Sequence, residues 1–333
     1  MIQLCIPSLL SLLSPALAND GDFKPSVEAG GMVFASWQLD MTDGADNYNE
    51  FGVDRAYATL KAKMAPKIAA RITLDADHFK AVTTPAGDLT FDTKYRLYLK
   101  HAYVEFKDVA PGVKVRAGMI DTPYQPQQDT FWGHRYLAKG LGDEQKLLST
   151  ADLGVSIGGE HGKGLFSWTA AVLNGEGYSK LEVDSGKALQ ARVTVDPIAA
   201  QGKMELPITA YVDYNMHQNA DARVTYAAAL GFKQRFIWFS GEYLGVSEGD
   251  HGEMGYSVAA LPGMPKYGRV VLRYDHFDPD TAVDADGYDK LFAGLSHDFA
   301  EKVSLAFMYQ RTMYEAEGAA VEHGVGLHAQ AGF

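Results

Sequence analysis

The chain is nearly free of cysteine. Its single thiol, Cys5, lies at the start of 333 residues. Loss of residues 1–18 would leave none, which excludes disulfides and thiolate chemistry from the remainder. Long apolar runs are missing too. After Asn19 the longest run, 165–173, is broken by Ser167 and Thr169, whereas a helical span needs about 18 or more apolar residues. Any passage through a bilayer would therefore be as a closed barrel of strands. Low-complexity tracts and linker-like stretches are absent, so one domain is expected. Positive charge is in deficit: 30 Lys and Arg stand against 42 Asp and Glu, a net charge of −12. That balance argues against nucleic acid as a partner, but it does not set the sign of a local surface. Gly-x-Ser-x-Gly occurs twice, at 154–158 and 245–249, but neither sits in the strand-to-helix setting that a nucleophile elbow needs. No Gly-x-Gly-x-x-Gly occurs in a strand–helix–strand setting either, so no enzyme activity and no cofactor is expected.

The first 18 residues resemble a secretory signal. Residues 6–13 are an apolar run, and Ala16-Leu17-Ala18 forms a small-residue cleavage site before Asn19. The segment departs from the usual pattern in having no Lys or Arg before the run. The expected organisation is a signal peptide at 1–18 and a single barrel at 19–333.

What the sequence has in quantity is period-two alternation. The last nine residues, VGLHAQAGF, alternate apolar Val325, Leu327, Ala329, Ala331 and Phe333 with Gly326, His328, Gln330 and Gly332. This is a strand with one greasy and one polar face, and its final aromatic suits an interfacial girdle. The clearest case is 53–64, where Arg55, Tyr57, Thr59, Lys61 and Lys63 oppose Ala56, Ala58, Leu60, Ala62 and Met64. In 67–79, Arg71, Thr73, Asp75 and Asp77 oppose Ala70, Ile72, Leu74 and Ala76; in 94–106 the face switches near His101. Continued through the chain, the pattern predicts sixteen strands with alternating short and long connections. The fold class expected is all-β: a 16-stranded antiparallel transmembrane barrel, with short periplasmic turns and long outer loops. The longer loops are placed at 175–186, 246–253, 277–288 and 314–322. The mean hydropathy of −0.16 suits walls whose inner halves face water.

The longest connection, 120–151, follows the fifth strand. It carries Tyr124, Phe131, Trp132 and Tyr136 together with charges of both signs. A loop this long is functional or disordered, and its aromatic content argues against disorder. Two placements fit: folded inward as a third loop that narrows the channel, with Tyr124, Trp132, Arg135 and Tyr136 shaping it, or packed as an outer cap. Basic residues concentrate on the polar faces of strands two to five, and Arg55, Arg71, Arg96, Lys100, Lys114 and Arg116 are expected to form a basic wall. Arg and Lys ladders favour anions in a pore. The alternative is that these bases pair with lumenal carboxylates, leaving no net preference. Acidic surplus sits in the outer loops, where divalent cations between lipopolysaccharide phosphates are one reading and solvated charge the other.

Three triplets put an acid and a histidine before glycine: Glu160-His161-Gly162, Asp250-His251-Gly252 and Glu322-His323-Gly324. Such residues suit metals, but the layout puts the first on a periplasmic turn and the others on outer loops. About 25 Å of apolar wall separates the two rims, so no metal site is expected.

Four stretches then carry a likeness: Arg116–Tyr124 (RAGMIDTPY); Trp132-Gly133-His134-Arg135-Tyr136 with Lys139; Ala151-Asp152-Leu153-Gly154-Val155; and Val172–Tyr178 (VLNGEGY). Through them the chain resembles the bacterial outer-membrane porins, specifically the phosphate-selective porins and their relatives. The resemblance implies a 16-stranded barrel, homotrimeric, with the third loop inside. It does not transfer phosphate selectivity, because the inner-loop candidate holds only Arg135, Lys139 and Lys146 beside Asp121, Asp129, Asp143 and Glu144. The function expected is passive diffusion of small hydrophilic solutes or ions in the outer membrane, mildly favouring anions, with membrane lipid and lipopolysaccharide as surroundings. The other classes left open are an outer-membrane barrel enzyme of lipase or protease type and a soluble secreted all-β binding protein.

Overall fold

The computed structural model describes residues 23–44, 47–78, 82–83, 89–90, 95–199, 204–217, 221–264 and 267–333. The signal-like segment 1–18 lies outside them. The strands are β1 Ser26–Asp40, β2 Asn49–Ala65, β3 Ile68–His78, β4 Tyr95–Ala110, β5 Val113–Asp121, β6 Ala151–His161, β7 Phe166–Leu173 and β8 Ala188–Val195. They continue as β9 (Met204–Glu205 and Ile208–Asn215), β10 Arg223–Gln234, β11 Ile237–Glu248, β12 His251–Met264 and β13 Gly268–Asp278, then β14 Tyr288–Ala300, β15 Val303–Tyr314 and β16 Glu322–Gly332. β9 is one strand interrupted at Leu206-Pro207; proline has no N–H to give the ladder. A two-residue ladder pairs Val82–Thr83 with Leu89–Thr90 apart from the main sheet.

Each strand pairs antiparallel with its sequence neighbours, and β1 pairs with both β2 and β16. The sheet therefore closes into a 16-stranded barrel. Closure is completed by the last residue: Phe333 N–H donates to Gly31 O at 3.1 Å and Gly31 N–H to Phe333 O at 3.0 Å. Closing the ring removes the exposed edges that an open sheet would offer to other chains.

The alternation read from the sequence has a definite sense. Leu60, Ile72, Leu97, Val155, Val172, Leu189, Val258, Leu295 and Leu327 are exposed, whereas Arg55, Thr73, Asp75, Gln190, Thr225, Arg273 and Ser304 are buried. The greasy face points outward and the polar face inward, the reverse of a soluble sandwich. Tyrosines Tyr214, Tyr226 and Tyr243 stand on the exposed face toward one rim, and Phe166, Phe299 and Phe333 toward the other. No helix among the described residues is long and apolar enough to cross a membrane.

The face switch in β4 is a bulge. Thr73 pairs with His101 and Leu74 with Leu99, leaving Lys100 as the extra residue, so consecutive Lys100 and His101 are both buried. The expected long loop at 246–253 is corrected. β11 and β12 pair through Glu248 and His251, with only Gly249-Asp250 between them. Gly249 takes a φ of 58°, the left-handed backbone that a two-residue hairpin needs.

Candidate functional site

The connection 122–150 begins where β5 ends and holds two helices, α1 Gln125–Trp132 and α2 Leu141–Glu144. Pro126 suits the first turn of α1, where no partner exists for its missing N–H. Gly133 ends α1 in a left-handed turn, its N–H donating to Asp129 O. The chain then folds back and packs on the buried face of the wall. Tyr124, with no exposed surface, stacks on Tyr211 of β9 at 5.0 Å and donates to Glu242 of β11 at 3.0 Å. Gln127 donates to Thr194 of β8. Arg223 of β10 donates to Leu147 O, and Arg273 of β13 to Lys139 O at 2.7 Å. His134 reaches Ser296 of β14, Tyr136 packs on Phe34 of β1, and Arg135 donates to Tyr57 of β2.

Apolar contact reinforces these bonds. Trp132, Tyr136 and Leu137 form one buried cluster with Phe34, Leu261, Val271, Phe292 and Met308. Tyr124, Leu141, Leu147 and Leu148 form a second with Tyr211, Leu244 and Phe277. Burying a large apolar side chain contributes about 1.5–3 kcal/mol, so the two clusters fix the segment along much of its length. Burial also pushes the His134 imidazole below its usual range, which keeps it neutral between Trp132 O and Ser296.

The six bases expected as a wall are distributed unevenly. Arg55 is buried and paired, 2.6 Å from Asp75 and 2.9 Å from Asp77. Lys100 lies 3.7 Å from Asp75 and over the rings of Tyr57 and Tyr178. Arg116 bonds Glu105 at 2.7 Å and Asp121 at 3.0 Å. Arg71 donates to Thr73 and stands 3.9 Å from Asp121. Lys114 and Arg96 are exposed, each second in its strand, and because β4 and β5 run antiparallel they lie toward opposite rims. In the loop, Arg135 bonds Asp129 at 2.7 Å and also Asp143. Tyr124, Trp132 and Tyr136 are buried in the contacts with the wall.

Between this basic side and the loop lies the largest of the cavities described, about 680 Å³. Lys61, Arg71 and Lys100 line it from the wall, and Pro126, Asp129 and Arg135 from the loop. A second space of about 480 Å³ lies on the other side of α1, against Thr194, Thr209 and Lys233.

Several participants were not expected at the site from the sequence. Tyr178 comes from the connection after β7, where it bridges Arg55 at 3.1 Å and Asp75 at 3.0 Å. Asp152 holds that connection in place by accepting from Gly175 N–H at 2.7 Å, and Tyr178 N–H donates to Ala151 O. Two of the stretches carrying the family likeness, around Asp152 and around Gly175, are thus two halves of one clip. Glu242, Arg273 and Asp275 lie beneath the loop; alternation put them on the polar face but could not say what covers them. Among the described residues no three His, Cys, Asp or Glu side chains converge as metal ligands.

The chain matches no protein-family model and no curated protein sequence. Solved structures are similar in fold. An anion-selective porin from Comamonas acidovorans has a TM-score of 0.62 at 15% identity, covering 93% of this chain and 100% of the other. Outer-membrane expressed OmpT of Vibrio cholerae has 0.63 at 11%, covering 95% and 100%. OprB of Pseudomonas putida has 0.65 at 7%, covering 98% and 97%. The chain has the barrel fold of these outer-membrane proteins.

Proposed function

We propose that this chain is a porin of the bacterial outer membrane, exported by its first 18 residues and passing small hydrophilic solutes passively through a water-filled lumen. The observation that carries the reading is the inverted wall. Leu60, Val172 and Leu295 are exposed where a soluble protein would bury them, and Arg55, Asp75 and Gln190 are buried where it would expose them. Lipid outside and water inside satisfy both faces. In this reading segment 122–150 lies within the lumen and sets its narrowest part. Its bonds to β2, β8, β10, β11, β13 and β14 and its ring contacts with Phe34 of β1 and Tyr211 of β9, all on the inward face, support that placement.

The basic wall is proposed in a narrower form. Arg55, Lys100 and Arg116 are neutralised by Asp75, Asp77, Glu105 and Asp121 within about one charge-pair distance. Lys61 has no ion-pair partner among the described residues; it stands in register with Arg71 on β3 and with Glu28 on β1, and Glu28 is bonded to Lys63 at 3.1 Å. Like charges directly opposite on a sheet repel, so Lys61 and Arg71 carry the positive field. The preference that follows is for anions, and it is mild. A homotrimer is the assembly proposed, in keeping with a Vibrio cholerae OmpT structure described as a trimer form, with lipid and lipopolysaccharide around it.

The test is reconstitution of the detergent-purified protein in a planar bilayer under a potassium chloride gradient. Discrete conductance steps with a reversal potential on the chloride side are expected. A protein that stays soluble without detergent and adds no conductance would overturn the reading.

A further inference from the structure

The 680 Å³ cavity is within the size range of small-molecule sites, and its lining is unlike a plain basic ladder. Five basic side chains and three carboxylates line it. The two kinds are not equivalent. Each carboxylate already has a fixed cation beside it: Asp121 takes Arg116 at 3.0 Å, Asp129 takes Arg135 at 2.7 Å and Glu28 takes Lys63 at 3.1 Å. Their charge is compensated, while lone pairs remain to accept hydrogen bonds. Among the described residues the Lys61 ammonium, Lys302 and one edge of Arg71 are the charges left over, Lys61 and Arg71 side by side in register across β2 and β3.

A ligand that fits must bring one negative group to Lys61 and Arg71. Beside Arg71, at Asp121, and on the facing loop, at Asp129, it must bring donors and not a second negative charge, which those carboxylates would repel. Tyr57 and Thr59 add hydroxyls along the wall between the two ends. We propose that this cavity is a binding subsite for small polyhydroxylated monocarboxylates, the chemical class of sugar acids and hydroxy acids. The carboxylate sits at Lys61 and Arg71, and the hydroxyls are read by Asp121 and Asp129. This rests on the porin reading and names a substrate class for it.

The experiment is block of chloride current through single channels in a planar bilayer by added solute. Three probes separate the features: gluconate (one charge, many hydroxyls), inorganic phosphate (charge without a hydroxyl chain) and sorbitol (hydroxyls without charge). Gluconate should half-block at a concentration about ten-fold below phosphate, the worth of one or two further hydrogen bonds, and sorbitol should not block. Lys61→Gln should raise the gluconate half-block about ten-fold and Lys61→Arg should restore most of it. Lys163→Gln, on the exposed turn after β6, should change nothing. Channels that conduct but are blocked equally by phosphate, or equally by sorbitol, would overturn the subsite and leave the porin standing. Folded protein that forms no channels would overturn both.

Discussion

The two sides of the barrel interior use polar residues for different ends. From β2 to β5 the wall is dense in charge, and nearly every base has a carboxylate beside it: Arg55 with Asp75 and Asp77, Arg116 with Glu105 and Asp121. From β8 to β14 hydroxyls such as Thr194, Thr209, Ser257 and Ser296 stand among fewer charges, Arg223, Glu242, Arg273 and Asp275 among them, and segment 122–150 packs on this side. The difference teaches that a lumenal residue is not a permeation residue by default. On the covered side, Ser296, Thr194 and Arg273 hold the loop. On the open side most charge is spent on its neighbours, and in the proposed channel only what remains unpaired would face the solute.

The comparison breaks most severely at Arg273. This guanidinium is buried, bonds Asp275 at 2.7 Å and holds Lys139 O at 2.7 Å. Arg273→Ala strands a buried carboxylate, at a cost of about 3–5 kcal/mol. The temperature at which the folded form is lost on unboiled gels should fall, and conductance should rise as the loop loosens. An unchanged melting point with unchanged conductance would mean the loop is held elsewhere.

A second break is on the charged side. Lys61→Glu with Arg71→Glu should move the reversal potential toward cations, whereas the paired substitution Arg55→Gln with Asp75→Asn, which removes one charge of each sign, should move it little. Equal shifts from the two double variants would erase the distinction between paired and unpaired bases.

The strands were legible because their alternation is local. Val53 to Met64 displays β2 almost completely, and the bulge at Lys100 announced itself as a lost period. The turn at Gly249 was missed because Glu248 and His251 look like loop residues until they are seen paired. The cover over Arg273 was not legible at all: Lys139 and Arg273 are far apart in sequence, and alternation says only which face a residue is on. Tyr124, Trp132 and Tyr136 were legible as loop residues that matter, but not as anchors buried against the wall.

A smaller effect is expected from the clip between β6 and the following loop. Asp152→Ala leaves Gly175 N–H without its acceptor, a loss of about 1–3 kcal/mol. Tyr178 should then leave Arg55 and Asp75, detectable as faster proteolysis of residues 174–187 in the folded barrel. Protection identical to the unaltered protein would argue against the clip.

The smallest effect is from His134. Its burial favours the neutral ring, so the folded state binds its proton less readily than the unfolded chain. The stabilisation is complete above about pH 6.5, the ordinary histidine value, and declines as pH falls below it. Current noise from the loop should grow on acidification through that range, and His134→Gln should flatten the dependence. Noise that grows equally in the variant would place the titrating group elsewhere.

The most direct measurement uses the scarcity of cysteine. With Cys5 as the only thiol in the sequence, single cysteines at consecutive positions of β2 can be probed with a charged, membrane-impermeant thiol reagent in proteoliposomes. Thr59→Cys and Lys61→Cys should react, and Ala58→Cys and Leu60→Cys should not, because the first pair faces water and the second lipid. Reaction at Ala58→Cys and Leu60→Cys with protection at Thr59→Cys and Lys61→Cys would contradict the inverted wall and the channel built on it.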